Sequence, residues 1–322
     1  IAFSYDAFSG EKDLGTLKVV LSYSVPRDLL LLSKWIGGCL ALSAPFLLSV
    51  VLALLLTLLF PEIDLRGADW MSLGLAVAGT LAYLSTIYAL GLFVSARTLM
   101  PSTSITVLLL VWVVMVLVYP NLTPRVASLV APTPSMQSVE VEKSRLRDEE
   151  QGNFTREWSA YIGPAQQAGT PMDQLLAKYQ ELESGMSERV TKGRNKIEAD
   201  FQRAMDEQVL LTRMLAKVSP AALFTVAVCD FAGTGVQEKA NFHEQLQRYA
   251  ATWTAYAYSK FDAAIYEGSK ELDTQDYPRF DYTALPFAER LGDTSVDMLV
   301  LLLWNAVFLL LAWVSVTRYD VT

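Results

Sequence analysis

Four stretches of this chain stay apolar for longer than a globular core requires. Gly38 to Phe60, Met71 to Ser95 and Ser104 to Tyr119 contain no Asp, Glu, Lys or Arg, and Val296 to Thr317 contains only Asp297. A helix of about 20 apolar residues crosses a bilayer, so each stretch is predicted to be a membrane span. The third is short but can be extended through Leu99 and Met100, and Pro120 is expected to end it. Pro45 is expected to kink the first, and Trp70 to anchor the start of the second at the interface. The fold class that follows is an all-α membrane protein.

Between and before these runs the pattern changes to amphipathic helix. Glu11, Lys12 and Asp13 open a predicted helix on which Leu14, Leu17, Val20 and Leu21 share one face. A second amphipathic piece follows Pro26, with Arg27 and Asp28 leading Leu29 to Leu32 and Lys34 at the membrane edge. Far downstream, Met172, Leu175, Leu176, Tyr179 and Leu182 form one apolar face. Phe201, Ala204, Leu211 and Leu215 form another, and parts of 138–216 are expected to form an elongated antiparallel pair. Ser219 can cap and Pro220 can open a short apolar helix, either a buried core helix or an interfacial one. Phe242, Leu246, Tyr249, Trp253, Tyr256 and Phe261 line a further helix, where a core seam is favoured over a substrate surface. Residues 267–292, with Pro278 and Pro286, read as a loop.

Charge supplies the sidedness. Lys12, Lys18, Arg27 and Lys34 precede the first span, Arg97 lies between the second and third, and Arg318 follows the fourth; the opposite side offers only Arg66 in its short loop. Basic residues flanking spans mark the cytoplasmic side. The expected organisation is a cytoplasmic segment over 1–37, three spans over 38–119, a helical extracytoplasmic domain over 120–295, and the last span with its tail over 296–322. The formal net charge is −8, and no basic stripe appears, which excludes a nucleic-acid binder. Cys39 and Cys229 fall in different compartments and read as small hydrophobes.

Catalytic sets are missing from the sequence. There is no G-x-x-x-x-G-K-[ST] phosphate loop and no G-x-S-x-G elbow, and the single histidine, His243, lacks a second histidine at zinc-ligand spacing. A non-catalytic membrane subunit with no cofactor of its own is expected. Among polar groups near the spans, Asp293 and Asp297 lie at the outer edge of the fourth, and Asp297 reads as a solvated helix start. Asn305 lies deeper, where an interhelical hydrogen bond is favoured over the lining of a pathway. Gly74, Ala78 and Ala82 form a small-residue stripe, open between helix packing and the ordinary abundance of small residues in spans.

The run GEK-x-x-GTLK-x-x-LS, followed by PR-x-x-LLLSKW, resembles the cytoplasmic coupling segment of ABC-2-type transporter permeases. SPAALF and AGTG, at 219–224 and 232–235, resemble the extracytoplasmic part of the group with a large outer domain, whose better-known members serve gliding motility and nitrous-oxide-reductase maturation. The resemblance covers nearly the whole chain in order. It implies the last four of six spans, with two missing ahead of Ile1, and placement in a bacterial inner membrane. It also implies a separate ATP-binding subunit that holds ATP and Mg, a second permease copy of the same or a different kind, and a possible extracytoplasmic partner. Gly10, Glu11, Lys12, Gly15, Thr16 and Leu17 would meet the ATP-binding subunit, with Glu11 as the leading contact. The competing expectation is a membrane-anchored scaffold whose outer domain binds a partner, its amphipathic segment lying on lipid.

Overall fold

The computed structural model describes residues 1–319 apart from 24, 62, 64, 66 and 268–275. Arg66 and Asp320, and the side chains of Phe261 and Asp293, therefore lie outside the described residues. Every element described is helical. Two short helices, α1 (Ser9–Asp13) and α2 (Thr16–Ser22), precede α3 (Arg27–Leu58), α4 (Gly67–Arg97) and α5 (Pro101–Trp112). A π-helical segment, Val113–Val118, joins α5 to α6 (Tyr119–Val130). Then come α7 (Met136–Gln167), α8 (Met172–Ala216), α9 (Pro220–Phe231), α10 (Val236–Glu267) and α11 (Phe287–Thr317).

Among the described residues four stretches are long and apolar enough to cross a membrane: Arg27–Leu58, Gly67–Arg97, Pro101–Val130 and Phe287–Thr317. Their ends differ from the apolar runs in three informative ways. Arg27 to Lys34 is not a separate surface piece but the opening of α3, started by the extended backbone of Pro26. Pro120 does not end the third span. It lies in the first turn of α6, directly after the π-helical segment, whose wider turn and free carbonyls tolerate a residue without an N–H. Finally, α11 starts at Phe287, after the extended Pro286, so 287–292 belong to a helix and not to the expected loop.

The chain divides into two compact units, one of Ile1–Asn121 with Ala216–Thr322 and one of Leu122–Leu215. The insert expected over 120–295 is thereby split, with 216–295 grouped with the spans.

In the first unit α4 and α11 are the most extensively paired helices, α9 lies against both, and α3 packs on the same pair. Tyr88, Leu92, Ala96, Ala312 and Val316 form one buried core; Ala89, Leu90, Val94, Leu108 and Phe308 form another. Close approach depends on two glycines. A Cβ at Gly38 would overlap the Tyr88 ring, and one at Gly91 would overlap the Ser4 side chain. Helix α9 resolves its two readings in favour of a core helix: Ala221, Ala222, Leu223, Ala227 and Phe231 are buried. Its start is as expected, with Pro220 first and the Ala222 N–H donating to Ser219 Oγ at 3.4 Å. On α10, Phe242 and Tyr249 pack edge-on against Phe280, and Trp253 against Tyr277. The aromatic seam is closed by the returning 277–283 segment and not by another helix.

The second unit is a helical hairpin. Lys143 pairs with Glu198 at 2.7 Å, Arg189 with Glu150 at 2.7 Å, and Phe154 and Trp158 meet Tyr179 edge-on. These pairs run in opposite directions along α7 and α8, so an antiparallel pair lies within 138–216 as expected, but the two apolar faces at 172–182 and 201–215 belong to one continuous helix, α8, and not to the two arms. Phe201 is buried as expected, whereas Leu211 is half-buried.

Candidate functional site

The element α1–α2 is where the expected coupling residues fall, and Gly15 decides its shape. Gly15 has φ 71°, the left-handed region that glycine enters without penalty. The predicted single helix is therefore broken, and its apolar face is divided. Leu17 is buried and Leu21 packs beside it, while Leu14 points outward and is 78% exposed. Val19 and Tyr23 extend the outward apolar face, and Thr16 and Asp13 share its exposure.

The inward side is bonded to the spans at several points. Helix α1 has no side-chain cap of its own; Ser95 of α4 supplies one, its Oγ accepting from the N–H groups of Phe8 at 2.9 Å and Ser9 at 3.0 Å. Lys34 of α3 donates to Glu11 Oε1 at 2.6 Å and to the Ala7 carbonyl at 2.7 Å. Glu11, expected as the leading contact with another subunit, is thus turned to Lys34, and its Oε2 is buried without a hydrogen bond. Gly10 is half-buried, with Asp6 Cβ 3.3 Å from where its own Cβ would stand. Lys12 donates to the Ala96 carbonyl, and to that of Thr98 at 3.1 Å, and its ammonium lies over the Tyr319 ring. Burial, then the neighbouring Arg97, pull the Lys12 ammonium down to about 8. Arg27 donates from one guanidinium nitrogen to the carbonyls of Thr317 at 2.6 Å, Tyr319 at 3.0 Å and Val316 at 3.4 Å.

A family model described as ABC-2 family transporter protein matches residues 1–321. The chain belongs to the ABC-2 transporter family. Comparison with curated proteins and with solved structures gave no match. Membership makes this a multi-pass membrane protein of an ABC transporter, a system that includes an ATP-binding partner.

The remaining singled-out residues of this ABC-2 chain fall elsewhere. Gly74 and Ala78 are exposed and nothing lies within 4 Å of a Cβ at Gly74; close approach occurs at the neighbouring Gly79, against Met298. Ala82 is half-buried. Asn305 donates to Ser85 Oγ at 2.6 Å, and Trp35 donates to the same oxygen at 3.1 Å, so one serine joins α3, α4 and α11. Asp297 is not a solvated helix start. Because α11 begins at Phe287, Asp297 lies inside it, 4% exposed, with Lys217 at 3.9 Å. Sequence reasoning passed over Ser85, Ser95 and the buried Asp230, which accepts from Thr294 at 3.1 Å. A polar residue inside an apolar run was the available signal, but it does not name its partner. Among the described residues no three His, Cys, Asp or Glu side chains converge as metal ligands.

Proposed function

We propose that this chain is the membrane-spanning permease subunit of an ABC-2-type exporter in a bacterial inner membrane, moved by a separate ATP-binding subunit. The observation that carries this reading is the two-sidedness of α1–α2: an outward apolar face of Leu14, Val19 and Tyr23 on an element bonded inward to the two spans α3 and α4. A lipid-surface helix is expected to carry more Lys and Arg and fewer acids than Glu11 and Asp13 beside Lys12. The docking surface is the tip from Asp13 to Thr16 with the adjoining face of α2. Gly10, Glu11, Lys12 and Leu17 form its inner support, and Gly15 shapes the turn between them. The partner subunit holds ATP and Mg; closure of two such subunits pushes two permease copies and tilts their spans, a rigid-body transmission between two states.

In this reading the segment ahead of α3 is cytoplasmic and the chain between the third and fourth spans is extracytoplasmic, where the hairpin of α7 and α8 gates release or engages an outer partner. Kinship with the gliding-motility and nitrous-oxide-reductase-maturation group is supported by the SPAALF and AGTG runs. The test has two arms. Leu14→Asp with Val19→Asp is expected to abolish co-purification of the ATP-binding subunit while leaving membrane insertion intact. Impermeant thiol reagent applied outside is expected to modify Ser187→Cys and spare Ser22→Cys. Full retention of the ATP-binding subunit, or the reverse labelling pattern, overturns the proposal and favours the scaffold.

A further inference from the structure

Helices of five and seven residues do not hold their shape alone, so the position of α1–α2 is set by what it is bonded to. The last carbonyls of a helix have no intrahelical partner and carry partial negative charge. Two helices end beside this element, α4 at Arg97 and α11 at Thr317. Each end is met by a cation from outside its own helix. Lys12 lies on the carbonyls of Ala96 and Thr98, and Arg27 on those of Val316, Thr317 and Tyr319. Tyr319 links the two sites, since its carbonyl accepts from Arg27 while its ring lies under Lys12.

We infer that Lys12 and Arg27 are positioning residues that clasp α1–α2 and the start of α3 onto the C-terminal ends of α4 and α11, so that a load on α2 reaches this helix pair as one body. Resting on the exporter reading, this deepens it by naming the residues that carry the load. Apolar packing alone does not supply the same link. Phe8 and Leu17 insert into a core, but apolar contact is non-directional and permits sliding. Charge-assisted hydrogen bonds to fixed carbonyls define a register. The Lys12 ammonium is held there against burial and Arg97, a cost that its carbonyl and ring contacts offset. Lys34 closes the opposite side through Glu11 and Ala7, so the element is bracketed between cations.

The test uses the full chain in nanodiscs, with Cys39 and Cys229 replaced by serine and spin labels at Ser22→Cys on α2 and Leu99→Cys just beyond α4. The unmodified clasp is expected to give one narrow distance distribution. Lys12→Met and Arg27→Gln should each broaden it, with Lys12→Arg retaining the narrow form because it keeps the donors. In the complex co-purified with the ATP-binding subunit, the same two variants should keep the subunit bound yet lower transport-linked ATP hydrolysis about tenfold, the scale of one lost charged hydrogen bond. Distributions and hydrolysis unchanged in both variants overturn the clasp. Failure of the unmodified chain to bind the ATP-binding subunit would instead sink the exporter reading, and the distance measurement would still decide the clasp. If Lys12→Met fails to fold, Arg27→Gln and Lys12→Arg carry the test.

Discussion

Helices α3 and α4 have nearly equal lengths, 32 and 31 residues, yet the more apolar of the two is the less buried. None of the most apolar stretch of α3 is buried, against 44% of that of α4. Leu48, Val51, Leu52 and Leu55 of α3 face outward, whereas Gly79, Thr86, Ala89, Gly91 and Ser95 of α4 are buried. In water this order would be inverted. In a bilayer, lipid tails are as apolar as leucine, so apolarity gives no preference for another helix; close backbone approach and shared hydrogen bonds do. The less apolar span is therefore the centre of the bundle.

The contrast can be broken at three levels. The largest effect is expected at Gly91, where a side chain would overlap Ser4. Gly91→Leu should destabilise by about 3 kcal/mol, the upper end of ordinary overpacking. Thermal unfolding in detergent measures this, and an unchanged midpoint would remove Gly91 as a point of close approach. A smaller effect is expected at the shared serine. Ser85→Ala and Asn305→Leu should each cost about 0.6–1.7 kcal/mol, the range of interhelical hydrogen bonds in membranes. The double variant should cost less than their sum, because both remove one bond; strict additivity would deny the link. The smallest concerns the outward face of α3. Leu52→Ala and Leu55→Ala should each change stability by less than about 0.5 kcal/mol in the isolated chain. A larger loss would mean that this face is packed against protein.

The sequence by itself determined the elements whose physics is local or set by the solvent. Four spans follow from the thickness of the bilayer, and helix starts follow from Pro26, Ser219 and Pro220, whose backbone or side chain disfavours continuation from upstream. The apolar faces at 172–182 and 201–215, both on α8, follow from period. What only the tertiary structure decided was which polar group meets which. Ser95 caps α1 from 86 residues away, counted to Ser9, and Arg27 reaches Thr317 across 290. Periodicity assigns faces within one helix and carries no information across such separations. It also failed where the helix itself stopped being continuous. Leu14 and Leu17 share a face only if Gly15 is helical, and its left-handed backbone sends one outward and the other into the core. Asp297 changed from surface to interior because the helix starts ten residues ahead of it, at Phe287, which places it within the bundle beside Lys217.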